Sequence, residues 1–182
     1  MVRSIEDRRD PFVELAQAVI GKQRKMPTQK PGNSEQDVQT PPELLRAIER
    51  QFHVDEWTLD LAANAQNAVC DDYLGPGSLL AQDALSVQWP QAGDLWLNPP
   101  FADIEPWVAK AWDTRECGAR IFVLVPASIG SAWYQALVFE RAHVIALAPR
   151  VTFVGHASPY PKDLILAIYS AVRGGFSTWR WK

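Results

Sequence analysis

The chain has 182 residues, 47% of them hydrophobic, which suits one domain with a single buried core and excludes global disorder. No apolar run approaches the roughly 20 residues of a membrane span. Met1 to Asp7 carries no signal-peptide stretch, so a cytoplasmic protein is expected. With 18 Lys and Arg against 21 Asp and Glu, the net charge of -3 excludes a protein that coats nucleic acid through charge alone. Cys70 and Cys117 have no partners at zinc-ligand spacing, so neither a disulfide framework nor a metal site is expected.

Residues 1–35 read as an N-terminal appendage. Phe12, Leu15, Ala16, Val19 and Ile20 recur at helical spacing, and Met26 to Ser34 is a linker by composition. Lys22, Arg24, Lys25 and Lys30 share a stretch free of acidic residues, which suits either a solvated tail or a phosphate-contacting arm. Residues 36–172 read as an alternating α/β domain and residues 173–182 as a C-terminal tail. Thr40 is placed to cap a helix whose first turn holds Pro41, Pro42 and Glu43 and whose apolar face is Leu44, Leu45, Ile48 and Phe52. A short strand is predicted over Trp57 to Leu61, and the stretch from Asn64 to Gln82 has no clear period. A second strand, Asp94 to Leu97, is halted by Asn98-Pro99-Pro100. Trp107, Val108, Ala111 and Trp112 mark a helix. Arg120 to Val125 is a near-continuous apolar run, as expected of a parallel strand covered on both faces. A helix with Trp133, Leu137 and Val138, a strand at His143 to Leu147 and a last strand at Leu164 to Tyr169 complete the pattern. Together these predict a doubly wound, mostly parallel sheet with helices on both faces and ligands at the carboxyl ends of its strands.

Asn98-Pro99-Pro100-Phe101 falls at such a carboxyl end. Its residue types suit methylation of a planar amine, whose lone pair is delocalised into a ring and reacts poorly. Two acceptors aimed at the amine hydrogens, the Asn98 side-chain oxygen and the Pro99 carbonyl, would favour a pyramidal nitrogen. The prolines stiffen that pair, and Phe101 offers a flat face to an extruded base. A sulfonium donor makes its own methyl electrophilic, so no nucleophile or metal is required. A plain strand-ending turn is the structural alternative. Leu59 to Asn64 offers a carboxylate, Asp60, followed by small residues, but no glycine-rich turn. Asp83 suits either the donor's adenine amino group or a local turn. Trp89, Trp96, Trp107 and Trp112 read as core or pocket wall.

The order of the pieces is more specific than any one of them. Thr40-Pro41-Pro42-Glu43-Leu44, Thr58 to Ala63, Asn67 to Cys70 with Tyr73, and Asp83-Ala84-Leu85 with Trp89 form the first part. Trp96 to Phe101, Pro106 to Ala111, Leu124 to Ser128, Arg150 with Phe153, and Pro161-Lys162-Asp163 follow. This series resembles the phage-type DNA adenine N6-methyltransferase family from about Thr40 to Tyr169, leaving the N-terminal appendage outside. The resemblance implies a class I methyltransferase (Rossmann-like) fold without a separate target-recognition domain, S-adenosylmethionine as donor and double-stranded DNA as partner. It implies that Asn98, Pro99, Pro100 and Phe101 are catalytic, that Thr40 and Pro41 belong to a segment closing over the donor, and that Asp60, Ala62 and Ala63 line its pocket. Phe101 stands where tyrosine is commoner in that family.

A stacked adenine has to be flipped out to reach such a site, at a cost of roughly a few kcal/mol. With no room for a second domain, reading of DNA falls to loops 74–80, 102–105, 128–132 and 155–161, with Lys22, Arg24 and Lys25 tracking phosphate. Arg150 suits a phosphate contact or a loop pin, and His156 a substrate contact. RNA guanine or protein glutamine as acceptor, and a non-enzymatic module with a decayed donor pocket, stay open at this point.

Overall fold

The computed structural model describes residues 38–115, 118–172 and 174–182. Helix α1 spans Pro42–Phe52, α2 Glu105–Thr114 and α3 Ala132–Leu137, while the strands are β1 Leu59–Asp60, β2 Asp94–Leu97, β3 Arg120–Pro126, β4 His143–Ala148, β5 Leu164–Tyr169 and β6 Phe176–Arg180. The six strands form one sheet in the order β1-β2-β3-β5-β4-β6. Pairings β1–β2, β2–β3 and β4–β6 are parallel, whereas β5 runs antiparallel to both neighbours.

Burial on both faces follows from the strand sequences. In β3, Ile121, Val123 and Val125 point into a cluster with Trp107, Val108 and Ala111 of α2 and Tyr134 and Leu137 of α3. The alternate residues Phe122 and Leu124 enter a second cluster with Leu44 and Ile48 of α1. In β5, Ile165, Ala167 and Tyr169 join the first cluster and Leu164, Leu166 and Ile168 the second. Hydrocarbon on both faces is the condition that a near-continuous apolar run satisfies. Helices therefore flank both faces, two on one side and one on the other.

The structure departs from the sequence expectations in four ways. The sheet is mixed, because the reversed β5 is wedged between β3 and β4. Thr40 is buried but is not the helix cap: Pro41 holds that place, Pro42 opens the helix, and no side chain caps it. Proline tolerates this because the first-turn amides have no helical partner in any case. The regular part of β1 is Leu59–Asp60 alone, although Leu61 still donates its amide to the Trp96 carbonyl. Phe176–Arg180, inside the segment set apart as a tail, forms the edge strand β6 beside β4.

At the amino-terminal edge of the sheet, Arg120 makes a two-pronged contact with Asp94, both distances 2.5 Å, across the β2–β3 pair. The same guanidinium donates to the carbonyls of Phe52 and His53, satisfying the carboxyl end of α1 and pinning that helix to the sheet.

The stretch between β1 and β2 folds without helical or strand periodicity. Tyr73 bridges Asp60 in parallel, and the Asp60 and Ala63 amides donate to the carbonyls of Asp72 and Leu74. Ser78 Oγ bonds the Tyr73 carbonyl and accepts from the amides of Leu80 and Ala81. Gly75 makes this path possible, for at its φ of +142° an added Cβ would sit 2.1 Å from the Ala63 carbonyl oxygen. Gly75→Ala is expected to cost about 2 kcal/mol or more. Gly130→Ala, at a position with nothing within 4 Å, should change stability little. Urea denaturation of the two variants checks the contrast.

Candidate active site

Strands β1, β2, β3 and β4 all point the same way, so the segments after Asp60, Leu97, Pro126 and Ala148 share one edge of the sheet. A small cleft opens there. Its walls are Ala62, Ala63, Asn64 and Asn67 after β1, Leu74, Gly75 and Pro76 from the neighbouring segment, Ala84, Pro100 after β2, and Trp107 of α2. The small side chains let a ligand come close to backbone amides and carbonyls. Asn67 Oδ1 accepts the Asn64 amide at 2.7 Å, and Asn64 Oδ1 accepts the Gln66 amide at 2.9 Å, which fixes the turn above the alanines.

Asp60 shapes this wall from behind. It is 2% exposed and absent from the cleft lining. Its two oxygens accept from the amides of Ala62 and Val69, each at 3.1 Å, so one carboxyl holds both ends of the loop over the cleft. Burial pushes this carboxyl up to about 7, against the opposing pull of the two amide bonds. Cys70, next to it, is raised to about 11 by burial and by the nearby Asp60 charge.

Asn98 follows β2 immediately. Its Nδ2 donates to the Val38 carbonyl at 3.0 Å. A carbonyl can only accept, so the nitrogen faces Val38 and Oδ1 faces away from it. Among the described residues Oδ1 accepts no hydrogen bond. Pro99 is buried, and Asn98, Pro100 and Phe101 are half-buried. The Phe101 ring meets Tyr160 edge-on at 5.4 Å between centroids and Phe153 at 6.2 Å. Phe153 and Tyr160 also meet each other at 5.8 Å, closing a triangle of rings. A second hollow adjoins it, walled by Phe153, His156 to Pro159, Tyr160 and Pro161.

The residues singled out from the sequence separate into groups. Asn98, Pro99, Pro100 and Phe101 gather with Ala62 and Ala63 at one edge, Pro100 belonging to the cleft itself. Thr40 and Pro41 are buried just before α1 and do not line the cleft. Asp83 is exposed and spends an oxygen on the Leu85 amide at 3.0 Å, as a turn aspartate does, while its neighbour Ala84 reaches the cleft. Arg150 pairs with Asp163 at 2.8 Å on the surface, pinning the loop after β4. His156 is exposed on the rim of the second hollow. Lys22, Arg24 and Lys25 lie outside the described residues. Trp89 and Trp96 are core, whereas Trp107 is cleft wall. Val38 was not legible as a site residue, and Gly75 and Tyr160 were reached only as members of the loops 74–80 and 155–161. The Gly75-Pro76-Gly77 punctuation was the one available signal.

Small residues after β1, a proline-stiffened asparagine after β2 and a cleft beside them define the class: an α/β protein with a cleft at the carboxyl edge of its parallel strands. Residues 28–163 match the family model described as DNA N-6-adenine-methyltransferase (Dam). The chain belongs to that family. The match begins at residue 28, so part of the appendage set outside the resemblance lies within it. A protein of Escherichia phage T1 named DNA N-6-adenine-methyltransferase is 27% identical over 135 residues, covering 74% of this chain and 54% of that protein. The chain thus spans about half the length of this curated relative. No solved structure matches the chain significantly. Among the described residues no helix is long and apolar enough to cross a membrane, and no cluster of side chains could hold a metal ion.

The buried Asp60 gives a pH signature. The folded protein keeps this proton where the unfolded chain, with its carboxyl at 3.8, has lost it. Its contribution to stability is therefore complete below about pH 4 and is lost as pH rises toward 7. Asp60→Asn cannot titrate, and turns an amide nitrogen toward one of the two backbone donors, a pH-independent cost of about 1–3 kcal/mol. Urea titrations between about pH 4.5 and 7.5 should show stability falling with pH more steeply in the parent protein than in the variant. Equal slopes would contradict burial as the cause.

Proposed function

We propose that this protein transfers a methyl group from S-adenosylmethionine to the exocyclic N6 amine of adenine in double-stranded DNA, the base being flipped out of the helix. The observation that carries the reading is the orientation of Asn98: its nitrogen is engaged by Val38, its oxygen is left to accept, and a cleft lies beside the same tetrapeptide. Family membership supports the adenine N6 position. The reversed β5 and the cleft position are compatible with a reduced class I methyltransferase fold, which belongs to the same proposal.

The chemistry of the cleft lining suits a nucleoside donor. Ala62 and Ala63 allow close backbone approach, Asn64 and Asn67 supply polar groups, and Trp107 and Pro100 supply apolar walls. These residues would hold the donor, with Asp60 acting through the loop it pins. Bound S-adenosylmethionine would supply an electrophilic methyl on a sulfonium.

The chain's own work is positioning. Asn98 Oδ1 and the Pro99 carbonyl accept the two hydrogens of the adenine amine. Each bond favours a pyramidal nitrogen with its lone pair turned outward, and strengthens as positive charge develops there. Proline at 99 and 100 removes backbone freedom that would otherwise be lost on binding. Phe101, backed by Tyr160 and Phe153, offers the extruded base an aromatic wall. His156 and the loop around it, with Lys22, Arg24 and Lys25 from the N-terminal segment, are the proposed DNA contacts. Arg150 serves DNA through the loop it holds to Asp163.

Labelled donor and duplex DNA, followed by digestion to nucleosides, should yield N6-methyladenine. Asn98→Ala should lower turnover by about 100-fold or more while donor binding, read by calorimetry, stays within about twofold. Methylation of RNA or protein in preference to DNA would overturn the substrate assignment. Unchanged turnover in Asn98→Ala would remove this residue from the chemistry.

A further inference from the structure

We infer that the Val38 backbone carbonyl is a positioning group for the reaction, so that position 98 has to donate one hydrogen bond as well as accept one. The inference rests on the reading of Asn98 given above. The Asn98 Nδ2 bond to Val38 spans 60 residues of sequence at 3.0 Å. Its acceptor is anchored on the carboxyl-terminal side. The next carbonyl, that of Gln39, accepts the Val154 amide at 3.0 Å, and the chain then passes through buried Thr40 and Pro41 into α1. Leu44 and Ile48 of that helix are fully buried against the sheet. The Val38 oxygen therefore cannot follow a side chain that moves away.

Consider an aspartate at position 98. As an acceptor for an amine hydrogen, a carboxylate is stronger than an amide oxygen. If acceptance were the whole task, Asn98→Asp would serve at least as well. In this site one carboxylate oxygen would face the Val38 carbonyl, acceptor against acceptor, in a half-buried place. The side chain then either swings away, taking the second oxygen off the amine, or binds a proton. The protonated acid restores the arrangement: its O–H donates to Val38, and its carbonyl oxygen stands where Asn98 Oδ1 stood. The carboxyl is accordingly pushed upward, by roughly two units or more from its ordinary value.

The test is the pH profile of full-length Asn98→Asp. Among the described residues, titratable groups on the elements around position 98 are Asp60 at the end of β1, Asp103 after Phe101, Glu43 on α1, and His156, Tyr160, Lys162 and Asp163 on the loop before β5 with Arg150 beside it. All are present in both proteins, so their titration cancels when the variant's profile is divided by that of the parent. The ratio of kcat values should be about 100-fold below unity near pH 8.5 and rise close to tenfold per unit as pH falls, up to the raised carboxyl value. A ratio that is flat, or that improves toward alkaline pH, overturns the inference.

A readout apart from activity separates this from failure of the proposed reaction. The melting temperature of Asn98→Asp relative to the parent should be highest in acid and drop as pH rises through the raised carboxyl value. Asn98→Ala, which neither donates nor titrates, should melt at a constant offset from the parent. Parallel melting profiles for Asn98→Asp and Asn98→Ala would overturn the Val38 contact, whether or not DNA is methylated.

Discussion

A sheet covered by hydrocarbon on both faces can meet a ligand only at its ends. Strands β2, β3 and β5 are buried on each side by side chains from α1 on one face and from α2 and α3 on the other. Their polar backbone is consumed in the ladder, and nothing along their length is open for chemistry. What the strands leave is direction. Five of the six, all but β5, deliver their carboxyl ends to one edge, and the segments emerging there inherit a rigid base. The placement of Asn98 follows from this: it is the first residue past the β2 ladder, at the point where the backbone leaves the sheet but has not yet gained freedom.

The wall after β1 departs from the residue pattern usual at this place in such folds. Most nucleoside-binding α/β turns use glycines in their own first loop to let a ligand approach the backbone. Here the loop after β1 carries alanines, and the glycine that packs closely against it sits on the adjoining segment. Gly75, on the adjoining segment, lies against the Ala63 carbonyl where any side chain would collide. Asp60 then holds the loop by two amide bonds from beneath. The carboxyl that a motif reading assigns to the ligand is spent on shaping the wall, which explains both its burial and its raised titration.

How much of this was legible depends on how each part is held together. β2, β3 and β5 were legible almost residue for residue because a doubly buried strand is an apolar run bounded by polar residues. The reversal of β5 was not, since an apolar run carries no arrow. β6 escaped because its residues alternate between exposed and half-buried, the pattern of an edge with one partner. The stretch 64–82 was opaque for a different reason. It is built from bonds between side chains and backbone, by Asp60, Asn64, Asn67 and Ser78, and such bonds leave no period in the sequence. The tetrapeptide at 98–101 was legible as the end of β2, whereas the Val38 contact was not, because a backbone carbonyl looks the same under every residue type.

That last point bears on what an asparagine at the head of such a motif is for. An amide presents a donor and an acceptor on one rigid plane. Fixing either end fixes the direction of the other, whereas a carboxylate fixed at one oxygen needs a donor there. The neighbour that residue 98 meets is an acceptor, provided by a segment whose adjacent carbonyl also ties down the loop bearing Phe153 and Tyr160. Two consecutive peptide oxygens, those of Val38 and Gln39, thus join the end of β2 to the aromatic loop through the start of α1. The choice between amide and acid at position 98 is set by that neighbour. The segment leading into α1 is therefore part of the site's geometry, although none of its side chains reaches the cleft.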